Sequence, residues 1–231
     1  MSVRDRLLAL PRLVFSRFAD NTNEDSVASR MRRERLEILT EVFDEVEHQP
    51  IRVLDVGGSP GYWAIVDQHC DYELDVTVLN LHEFDRSEVH EVHLVVGDAR
   101  DLSAYETHEF DVAYSNSVIE HVGAWEDQAA MAREVARVGR RYVVQTPNYW
   151  FPVEPHFVFP LFQYLPVRIR AELHRRFRLG WMPAAGERAK ATANVRQIQL
   201  LTGQQVRKLF PDAELITERF LGLPKSLIAR R

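Results

Sequence analysis

Three short stretches hold the residue types that could do chemistry. In "VLDVGGSPGYWA", residues 53 to 64, an acid, Asp55, is followed by Gly57, Gly58, Ser59, Gly61 and Trp63. In "SVIEHV" Glu120 and His121 are adjacent, and in "FPVEPHF" Glu154 and His156 stand among prolines that stiffen their backbone. Histidine, with an ordinary pKa near 6.5, can take a proton at neutral pH, so His121 is the first candidate general base and His156, beside Glu154, the second. Glu120 can orient a neighbour or bind an ion. Glu120, His121 and Glu154 also form an oxygen-rich set of the kind that holds magnesium, a further expectation for these residues. The glycines do different work. Without Cβ atoms they let the chain bend sharply and let a ligand touch backbone N–H groups at a helix start.

The elements that must position these residues follow from apolar periodicity. "IRVLDVGG" is a short β-branched run closed by glycines, a buried strand, and a helix follows from Tyr62 to Cys70. "ELDVTVLN", "EVHLVVGD", "EFDVAYSN" and "RRYVVQTP" are further strands, and "WEDQAAMAREVARV" is an amphipathic helix. Strands separated by helices or crossovers imply a parallel sheet with covered faces. "TGQQVRKLF" is a helix capped at Thr202, and the two strands after it, "AELITERFL" and "LPKSLIARR", are joined too tightly to be anything but antiparallel. The fold class is therefore α/β: a Rossmann-like, seven-stranded, mostly parallel sheet with an antiparallel last strand, helices on both faces, and a lid insertion after strand five.

One domain over 1–231 is expected, with N-terminal helices in 1–50, a core in 51–146, the insertion in 147–195, and a closing helix and hairpin in 196–231. Within 1–50, Leu7, Leu10, Val14 and Phe18 recur at helical spacing opposite Arg4, Arg6, Arg12 and Arg17, and a second helix over 26–47 is capped by Asn23 or Asp25. The insertion carries Pro147, Pro152, Pro155, Pro160, Pro166 and Pro183 together with many aromatics, which argue for order rather than disorder.

Composition excludes several classes. A net charge of -5 over 231 residues is no nucleic-acid footprint, so no nucleic-acid partner is expected. The single Cys70 excludes an intrachain disulfide framework, suits a reducing cytoplasm, and is expected as a small buried thiol. No apolar run reaches the roughly 18 to 20 residues of a membrane span, and no signal peptide is expected. The segment "HFVFPLFQYLPVRIRAELHRRFRLGW" nevertheless sets aromatics beside five arginines, which suits an amphipathic lid, a glycan, or a lipid-linked acceptor at the inner face of the membrane.

The glycine turn reads G-G-S-P-G-Y, which fails the G-x-G-x-x-G spacing that seats a pyrophosphate. "VLDVGGSPG", "VVGDARDL", "FDVAYSNSVIEHV" and "TPNYWFPVEPHF", in this order, resemble the class I S-adenosylmethionine-dependent methyltransferases. The last of them is similar to methyltransferases of bacterial polysaccharide or glycolipid assembly. The resemblance implies S-adenosyl-L-methionine as cofactor, with Asp55, Gly57 and Gly61 beside its amino-acid end and Gly58, Ser59 and Trp63 in the same turn. It implies Asp98 and Ala99 at the adenine, and Ser115 and Asn116 at the end of strand four along the cleft. The chain departs from the family at the end of strand two, where an acid often holds the ribose diol and Asn80, followed by Leu81, stands instead. An amide can donate to one hydroxyl and accept from the other. The function implied is O-methylation of a sugar hydroxyl on an oligosaccharide or glycolipid, with a phenolic small molecule or a non-catalytic cofactor-binding role as alternatives.

Overall fold

The computed structural model describes residues 27–83, 92–180 and 182–231. The amphipathic stretch over 1–18 and the caps Asn23 and Asp25 lie outside them. The chain divides into two compact units, one formed by residues up to 39 together with 152–192, the other by 40–151 and 193–231.

The larger unit is built on a seven-stranded sheet. Helix α1 (Val27–Phe43) leads into it, ending short of the residue 47 expected from its apolar face. Strand β1 (Ile51–Val56) is buried at every position but Arg52. Helix α2 (Pro60–Asp67) begins two residues earlier than the apolar pattern indicates, because Pro60, with its φ preset and no N–H to satisfy, is placed in the first turn behind Ser59. Strands β2 (Leu74–Asn80), β3 (His93–Val96) and β4 (Phe110–Asn116) follow, then a 3₁₀ turn (Ile119–His121), helix α3 (Trp125–Val138) and strand β5 (Gly139–Pro147). The smaller unit holds the two-residue strands β6 (Val153–Glu154) and β7 (Phe159–Pro160), a 3₁₀ turn (Phe162–Tyr164) and helix α4 (Val167–Arg176). Helix α5 (Arg188–Gln197) leads back to α6 (Gly203–Leu209) and the hairpin β8 (Glu214–Phe220) and β9 (Leu223–Arg230).

Strand order is β3-β2-β1-β4-β5-β9-β8, parallel from β3 to β5 and antiparallel at β9 and β8, as the short final link requires. Order reverses between β1 and β4, which pair through Val53–Val112, Leu54–Ala113 and Asp55–Tyr114. In such sheets the crevice beyond the carboxyl ends at that reversal is where ligands bind. The core over the sheet joins Leu54, Val56, Ala113, Tyr142 and Leu227 to Met131, Ala132, Val135 and Val138, the helically spaced apolar face of α3. Thr202 caps α6 reciprocally with Gln205, its hydroxyl accepting the Gln205 N–H and its own N–H donating to Gln205 Oε1. Cys70 is half-buried rather than buried, since it follows α2 on an exposed turn; burial, Asp71 and Asp67 push its thiol up.

Candidate functional site

The turn after β1 is shaped by side chains that leave no room for a Cβ. Gly57 has φ +80, donates its N–H to Leu79 O at 2.7 Å, and faces Val118, whose methyls would lie 2.6 Å from a Cβ there. At Gly58 a Cβ would fall 1.7 Å from Asp55 Oδ2, so the glycine exists to admit the acid. Around Gly61 there is open space. Asp55 is buried; Trp63 Nε1 donates to its Oδ2 at 2.7 Å, while its Oδ1 has no partner among the described residues. Burial raises the Asp55 pKa to about 7, against the opposing pull of the Trp63 bond. Next to it, Tyr62 and Tyr114 stack at 5.4 Å and share a 3.0 Å hydroxyl hydrogen bond.

At the carboxyl ends of β1 to β4 lies a cavity of about 250 Å³. Of the residues expected from the sequence, Gly57, Asn80, Leu81, Asp98, Ala99 and His121 line it. Gly58, Ser59, Gly61, Trp63, Ser115, Asn116 and Asp55, also expected from the sequence, are not among its lining residues. Ser115 is fully buried and donates its hydroxyl to Val56 O, tying β4 to β1. Asn80 donates to Gly58 O at 3.1 Å and accepts from Leu81 N at 2.8 Å, which fixes the end of β2 to the glycine turn.

Arg100, Val118, Ser117 and His82 also line the cavity and were not legible as site residues. Arg100 grips Asp98 through its backbone N–H, Nε and Nη2, and reaches Asp127 Oδ1 at 3.0 Å with Nη1. These bonds hold the Asp98 carboxyl below its usual range, so it stays ionised at neutral pH, and raise the Arg100 pKa. Asp127 Oδ2 in turn accepts the Ala124 N–H at the start of α3. The only sequence signal for this cluster was the D-A-R spacing, which is equally that of an ordinary Asp-initiated turn.

The 3₁₀ turn that carries Glu120 and His121 is fixed on several sides. Gln128 Nε2 donates to Ile119 O and Gln199 O, and Gln199 N donates to Glu120 O at 2.8 Å. Ser117, at φ +58, bonds Gln145 through both its N–H and its hydroxyl. Glu120 is fully buried and accepts the Thr146 hydroxyl at 2.9 Å; His121 Nε2, at 4.0 Å from Glu120 Oε1, is beyond hydrogen-bond length and lines the cavity. In the smaller unit His156 Nδ1 lies 2.7 Å from Glu154 Oε1, and Glu154 Oε2 accepts the Phe157 N–H at 2.7 Å.

Residues 54–142 match the methyltransferase domain family. The fold agrees with that match. The methyltransferase fold is shared with the CurJ carbon methyltransferase, at 12% identity and TM-score 0.58 over 89% of this chain and 55% of that one. It is shared too with the 1,6-didemethyltoxoflavin-N1-methyltransferase of Burkholderia thailandensis, solved with S-adenosylhomocysteine, at 14% identity and TM-score 0.53 over 100% of this chain and 91% of that one. Two uncharacterized proteins of Mycobacterium tuberculosis are 38% identical over 66 residues, 29% of this chain. The match spans 22% of the length of those curated relatives.

Proposed function

We propose that the protein is an S-adenosylmethionine-dependent O-methyltransferase acting on a hydroxyl of a sugar in an oligosaccharide or glycolipid. The observation that carries the cofactor half is the cavity at the strand-order reversal, where Gly57, Asn80 and Asp98 stand at the ends of β1, β2 and β3. The match of residues 54–142 to a methyltransferase domain supports it, as does S-adenosylhomocysteine bound by a relative of the same fold. The donor set fits the cofactor. Asp55 offers a buried carboxyl oxygen with no partner among the described residues, suited to a cationic group, Gly57 lines the cavity beside it, and Asp98 is an ionised acceptor for an adenine amine.

When bound, the cofactor supplies a methyl carried on a sulfonium. The protein's part is to align the acceptor for in-line attack, exclude water, and receive the hydroxyl proton. In this reading His121 takes that proton as the acceptor oxygen forms its bond to the methyl carbon and the carbon–sulfur bond breaks, leaving S-adenosylhomocysteine. Glu120, anchored by Thr146, positions the turn on which His121 rides. The magnesium ion expected from the sequence enters no step. The sugar acceptor rests on the aromatic-rich insertion, since aromatic faces stack on sugar rings. Proteins of this fold include a carbon methyltransferase and an N1-methyltransferase, so the acceptor test includes amines beside hydroxyl compounds.

Titration with S-adenosylhomocysteine tests the first half: saturable binding is expected, and none would overturn the reading. Transfer from methyl-labelled cofactor to mono- and oligosaccharides, phenols, amines and lipid extracts tests the second. Label only on phenols or amines would refute the sugar acceptor. Loss of turnover in His156→Ala with full turnover in His121→Ala would move the base to His156.

A further inference from the structure

The smaller unit also carries an exposed apolar stretch that takes no part in the proton transfer proposed above. Phe157, Phe162 and His174 pack together within this unit, with ring centroids 4.4 Å apart for the two phenylalanines and 5.0 Å for Phe157 and His174. His174 is buried, and burial together with Lys190 depresses its pKa, so it adds no charge at neutral pH. In the same stretch Leu161 is 52% exposed, Tyr164 38% and Ile169 48%, three large apolar side chains within nine residues. The backbone beneath them takes an unusual path: Val158 has φ +48 and Leu161 φ +58, a left-handed conformation that bulky and β-branched residues rarely adopt. Asparagine or glycine would suit the backbone at 161 better than the leucine found there, half of whose surface is exposed. Outliers of this kind, retained with an exposed leucine, point to use at a surface.

The charge around them is one-sided. Between 167 and 178 five arginines, Arg168, Arg170, Arg175, Arg176 and Arg178, stand with a single acid, Glu172, in a chain whose net charge is -5. Glu172 is already engaged by Arg175 and Arg176, while Arg168 and Arg178 are exposed. Three apolar side chains are too few for a stable protein interface, which needs about 800 Å² from each partner. They are enough for a peripheral anchor, where a few inserted side chains act together with cations at an anionic lipid surface. Among the described residues no helix is long and apolar enough to cross a membrane.

We infer that Leu161, Tyr164 and Ile169, flanked by Arg168 and Arg178, form a docking surface for the anionic face of a lipid bilayer. The inference does not depend on the methyl-transfer reading. The full chain is sedimented with phosphatidylcholine vesicles with and without phosphatidylglycerol. Partition onto the phosphatidylglycerol vesicles is expected, weakened at least roughly fivefold in about 0.5 M salt. Leu161→Asn with Ile169→Gln, and separately Arg168→Glu with Arg178→Glu, should each weaken partition roughly tenfold or more. All four positions are exposed, and an unchanged circular dichroism melt shows the variants folded. No partition onto anionic vesicles, or partition that survives both pairs of substitutions in folded protein, overturns the inference. So does concentration-dependent self-association abolished by Leu161→Asn with Ile169→Gln, which would make the face a protein interface instead.

Discussion

Trp63 Nε1 donates to Asp55 Oδ2 at 2.7 Å, and this single bond holds a buried carboxyl whose other oxygen has no partner among the described residues. One indole N–H compensates only part of the cost of burying an acid, which is why its pKa stands near neutrality. The relationship ties the stability of the free protein to its ligand: an acid left so poorly satisfied is costly in isolation and available to a cation.

The pH dependence follows from the sign of that shift. Between the ordinary value of 3.8 and about 7 the folded chain holds a proton on Asp55 that the unfolded chain has lost. This contribution is therefore greatest below 3.8 and is lost as pH rises through about 7, by ~4 kcal/mol at most. Asp55→Asn, which keeps an acceptor for Trp63, should remove that slope in urea titrations across the window. Near pH 8 it should be more stable than the parent by ~2–4 kcal/mol while losing affinity for S-adenosylhomocysteine. Equal affinity in the two proteins would take Asp55 out of the cofactor site.

Gly58→Ala should cost at least ~2 kcal/mol, since its Cβ would fall 1.7 Å from the Oδ2 of the buried Asp55. Gly61→Ala, with nothing near its Cβ, should leave stability within ~0.5 kcal/mol. Thermal melts of the two variants distinguish a turn built around Asp55 from a merely flexible one.

Arg100→Ala removes the cation that fixes Asp98. Both groups are partly exposed, so the melting temperature should hardly move. Calorimetry should instead show S-adenosylhomocysteine bound roughly tenfold more weakly, as the freed carboxylate loses its orientation. An unchanged affinity would leave Arg100 and Asp98 a surface pair only.

Thr202→Ala should cost about 1 kcal/mol by opening the reciprocal cap with Gln205 at the start of α6. Urea midpoints measure it. Cofactor affinity should not change.

What could be read from the chain follows the range of the forces involved. Strand periodicity, the glycine turn and the tight link between the last two strands are local patterns, and they sufficed for a seven-stranded sheet with an antiparallel end. Gly57, Asn80, Asp98 and His121, which line the cavity, could be singled out from the sequence because strand ends fall at predictable places along the chain. Helix α2 was misjudged at its start because proline chemistry, not apolar spacing, begins it. The clamp of Arg100 on Asp98 and Asp127, and Val118 pressed against Gly57, join residues from separate elements. The burial that moves Asp55 toward neutrality is likewise set by neighbours brought in from other strands and from α2. The sequence by itself determined the order of elements and the residue types at the sheet's carboxyl edge. Only the tertiary structure decided which of those side chains are already held by others and which still face a cavity, because desolvation and close contact depend on the whole fold rather than on neighbours in sequence.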